Sequence, residues 1–82
     1  MMKIVPNKED FIKHIHNKKS TTPHLRLGQI AFNEIYDLLP DVACKLRATE
    51  YDPFYNDDRT NMFIDKCYDM IYLKKVFDKI ER

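Results

Sequence analysis

Apolar residues recur three and four positions apart along most of this chain, and four prolines at positions 6, 23, 40 and 53 divide that pattern into segments. Residues 8–18 read as a first helix, with Asn7 as N-cap, Asp10 in the first turn, and Phe11 and Ile15 four apart on a narrow apolar face. Thr22 as cap with Pro23 at the first helical position predicts a second helix, running to about Leu39. Leu27, Ile30, Ala31, Ile35, Leu38 and Leu39 keep helical spacing along it, so it is the expected centre of the core. A short third helix over 41–47 places Val42 and Leu46 four apart, with Ala43 and Cys44 beside them.

Residues 48–58 break the periodicity with turn formers and three aromatic rings, which predicts an ordered loop pinned by Tyr51, Phe54 and Tyr55. Asp57, Asp58 or Thr60 can cap a last helix running to about Ile80. On its wheel Met62, Phe63, Cys67, Met70, Leu73, Phe77 and Ile80 form one stripe, and Ile64, Tyr68, Ile71 and Tyr72 an adjacent one. A surface that wide fits either a helix wedged between two others or a face for another chain. The expected fold is all-α or mainly α: one domain over 1–82, a bundle of three to four helices with a long C-terminal helix.

Composition sharpens this picture. A single glycine in 82 residues argues against hairpins and bulges, which consume glycine. With 44% apolar and 33% charged residues the chain is expected to fold. Its net stability should be about 4–12 kcal/mol, so association with a second copy could contribute much of it. Fourteen Lys and Arg against thirteen Asp and Glu leave a net charge of +1, too little to draw the whole molecule onto nucleic acid or anionic lipid. Charges interrupt the N-terminus before any signal-like apolar run, and no stretch reaches membrane-spanning length. Cys44 and Cys67 lack the spacing of a disulfide framework or a zinc finger. Buried reduced thiols and a cytoplasmic location are the expectation.

Candidate chemistry is sparse. His14 and His16 are two apart and point apart on a helix, and His24 stands beside Pro23, so no metal site is expected. Gly28 stands alone, without a phosphate loop, and Asp52 to Asp65 lacks the ligand order of a calcium loop. No cofactor and no catalytic residue is expected. Lys13, Lys18 and Lys19 form the best candidate for phosphate contacts, although lysines at a helix C-terminus also suit its dipole.

The stretch 26–33 is more unusual, because an interior helical glycine costs about 1 kcal/mol and so implies close packing against another helix or the aromatic loop. Gln29 and Asn33 can form one polar row, and Arg26 can reach a carboxylate of the 52–58 loop. Arg26, Gln29, Asn33 and Asp52 are thus either a structural clamp or a polar site.

The pattern Arg26-x-Gly28-Gln29-x-x-Phe32-Asn33, Pro40-x-x-Ala43, Thr49-x-x-Asp52-Pro53-Phe54-Tyr55 resembles a family of short uncharacterised bacteriophage and bacterial proteins. The resemblance covers residues 26–63, and Ala48 stands where the pattern has glycine. It implies a phage or mobile-element origin and assigns no activity. The expected function is therefore non-enzymatic binding of another protein, a host or antiphage-defence component, through Tyr51, Phe54, Tyr55, Ile64, Tyr68, Ile71 and Tyr72. A nucleic-acid accessory using the lysines, a small-ligand binder on the polar row and a homo-oligomeric structural protein are the alternatives.

Overall fold

A computed structural model describes the backbone of residues 5–80 and the side chains of residues 5–72. The described residues form α1 (Lys8–Thr21), α2 (Leu27–Leu38), α3 (Pro40–Leu46), a 3-10 turn (Asp57–Arg59) and α4 (Thr60–Ile80), with no strand among them. The all-α bundle with a long last helix is what the periodicity predicts. The stripe members Leu73, Phe77 and Ile80 lie outside the described side chains.

Local chemistry sets the helix ends. Asn7 accepts the Asp10 N–H at 2.8 Å, and acidic residues in the first turn of α1 face basic ones in its last. Pro40 opens α3, where its missing N–H would be unpaired in any case. The predicted start of α2 is corrected: α1 continues to Thr21, residues 22–26 turn, and α2 begins only at Leu27. Lys19 explains the delay, because its Nζ donates to the carbonyls of Pro23, at 2.9 Å, and Leu25, holding the turn in a non-helical path. Gln29 Oε1 then accepts the Arg26 N–H at 3.0 Å, a backward bond that marks the true start.

The start of α4 also differs from expectation. Asn56 accepts the Asp58 N–H at 3.0 Å to open the 3-10 turn, which runs directly into α4. The Thr60 hydroxyl is buried and caps nothing.

α2 is the central element, touching α1, α3, α4 and the 3-10 turn. Phe11, Ile15, Ile30, Ala31, Phe32, Ile35, Ala43, Leu46, Phe63, Ile64 and Cys67 form one buried cluster around it. Cys44 is exposed, against the expectation of a buried thiol, since α3 turns only Ala43 and Leu46 inward. Cys67 is enclosed, and burial pushes its thiol up to about 12, which leaves it protonated and unreactive at neutral pH.

Candidate functional site

The aromatic loop is held at nearly every residue. Arg47 ends α3 and Ala48 enters the left-handed region at φ +61°, the one such non-glycine residue among those described. Its Cβ makes that conformation costly, so a glycine would fit better there. Asp52 holds the turn in place: one carboxylate oxygen accepts the Ala48 N–H at 2.7 Å and the other the Phe54 N–H at 2.9 Å. The Thr49 hydroxyl donates to the Leu46 carbonyl at 2.6 Å and accepts from the Tyr51 N–H at 3.2 Å. An Asp-Pro pair with a side chain bonded back to the backbone is a local turn device, and Pro53 itself is fully buried.

The loop is then fastened to the start of α2. A Cβ on Gly28 would lie 2.1 Å from the Pro53 carbonyl oxygen, so only glycine lets the two backbones approach this closely. The Gly28 N–H, unpaired within its own helix turn, donates to Asp57 Oδ1 at 3.0 Å. α2 has no acidic residue in its first turn, and Asp57 supplies that charge from 29 positions away. Arg26 Nη1 donates to the Tyr55 carbonyl at 3.1 Å, a backbone oxygen in place of the carboxylate its charge suggested.

The predicted polar row is therefore dispersed. Gln29 serves the α2 start, Asp52 serves the loop, and Asn33 is exposed on α2. Of the four, Arg26 alone bonds across to the loop; α2 and the loop are joined through Arg26 with Tyr55, Gly28 with Asp57, and the close approach of Gly28 to Pro53.

Across α2 and this fixed loop the rings of Tyr36 and Phe32, then Phe54 and Tyr55, follow one another with centroids 6.4, 5.9 and 4.9 Å apart. Phe32 also stacks on Phe63 in the core at 5.8 Å, so the series is rooted in the interior. Both ends reach water, Tyr55 at 80% exposure and Tyr36 at 48%. Two shallow depressions flank Tyr55. One, of about 150 Å³, is lined by Phe32, Arg47, Asp52, Phe54 and Tyr55. The other, of about 270 Å³, is lined by Ala48, Thr49, Asp52, Tyr55, Asn56 and Arg59. Tyr36 carries one signal in the sequence, its place four residues after Phe32.

The second stripe of α4 does not join this surface. Ile64 is 1% exposed and belongs to the core, so it cannot serve as a contact residue in the folded chain. Tyr68 is half-buried, packs edge-on against Phe11 at 6.2 Å and donates its hydroxyl to the Pro6 carbonyl at 2.6 Å. Burial, then the neighbouring Cys67 and Asp10 charges, raise its phenol to about 12. Ile71 is half-buried, and Tyr72 is exposed at 68%. Tyr51 lies on the opposite flank of α4, where Lys66 reaches its ring at 5.4 Å; Lys66 and Tyr68 are 200° apart around the helix.

The basic end of α1 is likewise committed to packing. Lys18 pairs with Glu34 on α2, His14 Nε2 lies 3.3 Å from the same carboxylate, and Lys19 holds the turn. Of the predicted phosphate contacts, Lys13 alone is exposed with no bonded partner among the described residues. No group of His, Cys, Asp or Glu among the described residues is arranged to hold a metal ion, and no described helix is long and apolar enough to cross a membrane. No protein-family model, curated protein or solved structure matches this chain.

Proposed function

We propose that this chain is a non-enzymatic protein-binding domain whose contact surface is the aromatic strip running from Tyr36 through Phe32 and Phe54 to Tyr55. The observation that carries the reading is Tyr55: a tyrosine 80% exposed on a loop whose backbone is bonded at both ends. A ring held out by a rigid loop loses little conformational freedom on binding, and tyrosine and arginine are enriched at interface hot spots. The depressions of about 150 and 270 Å³ are smaller than the usual ~300–1,000 Å³ of small-molecule sites. Asp52, the carboxylate between them, is occupied by two backbone N–H groups and is poorly placed for acid–base work.

The likeness of residues 26–63 to short phage and bacterial proteins supports a phage or mobile-element origin. It also supports a cytoplasmic host protein, including an antiphage-defence component, as partner. A second copy of the chain is the competing occupant, and a dimer formed through Tyr55 would replace the host protein in this reading.

A photo-crosslinking residue at Tyr55, compared with one at exposed Lys13, tests the proposal in bacterial cells that carry the gene. A discrete adduct from position 55 and none from 13 is the expected result. Tyr55→Ala should then weaken binding of the captured protein at least tenfold with the melting temperature unchanged. Equal adducts at both positions, or none, would overturn the reading.

A further inference from the structure

Resting on the protein-binding reading of the same strip, we infer that the segment it binds is acidic, with carboxylates on both sides of an apolar residue that packs beside Tyr55. Tyr55 and Asp52 line both depressions, so the ring is the ridge between them, and each depression has its own arginine: Arg47 in the smaller, Arg59 in the larger. Both arginines are exposed, and neither forms an ion pair among the described residues. Elsewhere cations do find carboxylates, as Lys8 does with Asp65 and Lys18 with Glu34.

The single carboxylate in the two linings, Asp52, spends both oxygens on backbone N–H groups, so it is not a partner for either guanidinium. Glu50 and Asp58 are exposed on the same loop yet line neither depression. Arg26 adds a third guanidinium at the Tyr55 carbonyl, where it uses one of its five N–H groups. An arginine presents a planar fork that matches a carboxylate with two parallel bonds. An aromatic ridge with an unpaired fork in each flanking depression therefore complements a peptide in which acidic residues bracket an apolar one. A nucleic-acid strand would also use rings and arginines, but Lys18 and Lys19 are tied to Glu34 and to the α1–α2 turn. Among the described residues that leaves Lys45 and Lys13 as the exposed lysines without a bonded partner that could extend a basic track from α3 and α1.

Panning a random dodecapeptide display library on the immobilised full chain tests this, with Tyr55→Ala and the double variant Arg47→Glu/Arg59→Glu as comparisons and a labelled oligothymidylate as a second probe. The expected outcome is enrichment of peptides with two or more Asp or Glu around an apolar residue. Their binding should fall at least tenfold in both variants and weaken as salt rises from about 0.05 to about 0.5 M. Both sites are exposed, and an unchanged melting temperature confirms that the variants fold. Peptides that depend on Tyr55 but carry no acidic excess would overturn the inference and leave the protein-binding reading standing. No Tyr55-dependent peptide would end both. Oligothymidylate bound through Arg47 and Arg59, in place of acidic peptides, would overturn the inference in favour of nucleic acid.

Discussion

Towards the C-terminal end of α1 the lysines are occupied. Lys18 pairs with Glu34, whose carboxylate also meets His14 Nε2, and the Lys19 ammonium sits on two carbonyls, so the lysine charge there joins α1 to α2 and its turn. In the 47–59 region two carboxylates serve the backbone instead, Asp52 taking two N–H groups of its own loop and Asp57 the Gly28 N–H, while Glu50 and Asp58 are exposed. Arg47 and Arg59 are left without a counter-ion among the described residues. Similar residue types thus build a joint in one place and an open surface in the other. N–H groups freed by a turn and by a helix start take Asp52 and Asp57, which withdraws the carboxylate between the two arginines from pairing with either.

The largest effect that would break this comparison comes from Gly28→Ala. Alanine reduces the freedom of the unfolded chain, a gain of about 0.4–1 kcal/mol, but its Cβ would meet the Pro53 backbone at 2.1 Å, and backbone cannot step aside as a flexible side chain can. Overpacking of this kind costs about 1–3 kcal/mol, and separation of the loop from α2 would also strand Asp57 and the Gly28 N–H. The expected result is a net loss of about 2–3 kcal/mol, read as a fall of about 10–20 °C in melting temperature. A variant as stable as the parent would mean that the loop is not fastened to α2 at all.

The part of this joint that was legible in the sequence was the part with local causes. A glycine inside an otherwise good helix pointed to a close approach, and Asp52-Pro53 among aromatics pointed to an ordered turn. The partners of Arg26 and Asp57 were not legible, since a charge shows its sign in the sequence but not whether a carboxylate or a carbonyl 29 positions away will meet it. Periodicity placed Ile30, Ala31 and Ile35 in the core but left out buried Phe32, and the start of α2 was misplaced because Thr22-Pro23 carries a strong capping signal that the Lys19 bonds override. Gln29, three residues after Arg26, was the competing signal. Ile64 and Tyr68 read as surface because they widen a stripe; only the packing of α1 across α4 shows that they are covered.

A smaller effect sharpens the contrast between the two sets of cations. Glu34→Ala removes the shared partner of Lys18 and His14, and an ion pair of this partly exposed kind contributes about 0.5–1 kcal/mol, less in high salt. Arg47→Ala and Arg59→Ala remove charges that hold nothing, so each should change stability by no more than about 0.5 kcal/mol. Urea denaturation at about 0.05 and about 0.5 M salt checks both expectations. A loss above about 1 kcal/mol in either arginine variant would show that it braces the fold and is not held free for a partner.

The smallest effect concerns the one strained residue in the otherwise well-bonded loop. Ala48 at φ +61° carries a left-handed penalty of about 1–2 kcal/mol that glycine would not. Glycine also gains freedom in the unfolded chain, which offsets about 0.4–1 kcal/mol of that relief. Ala48→Gly should therefore stabilise the domain by about 0.5 kcal/mol, a rise of about 2–4 °C. Ala48 is exposed and its N–H bond to Asp52 involves no side-chain atom of its own, so the substitution leaves the Asp52 clamp and the Tyr55 ridge in place. Stability and binding then separate: the variant should melt higher and bind as the parent does. A lower melting temperature would show that the alanine methyl makes a favourable contact in the larger depression, which it lines. Weaker binding with a higher melting temperature would show that the strain itself sets the presentation of Tyr55. The loop would then be a tensioned surface, in contrast to the relaxed, fully paired joint at the end of α1.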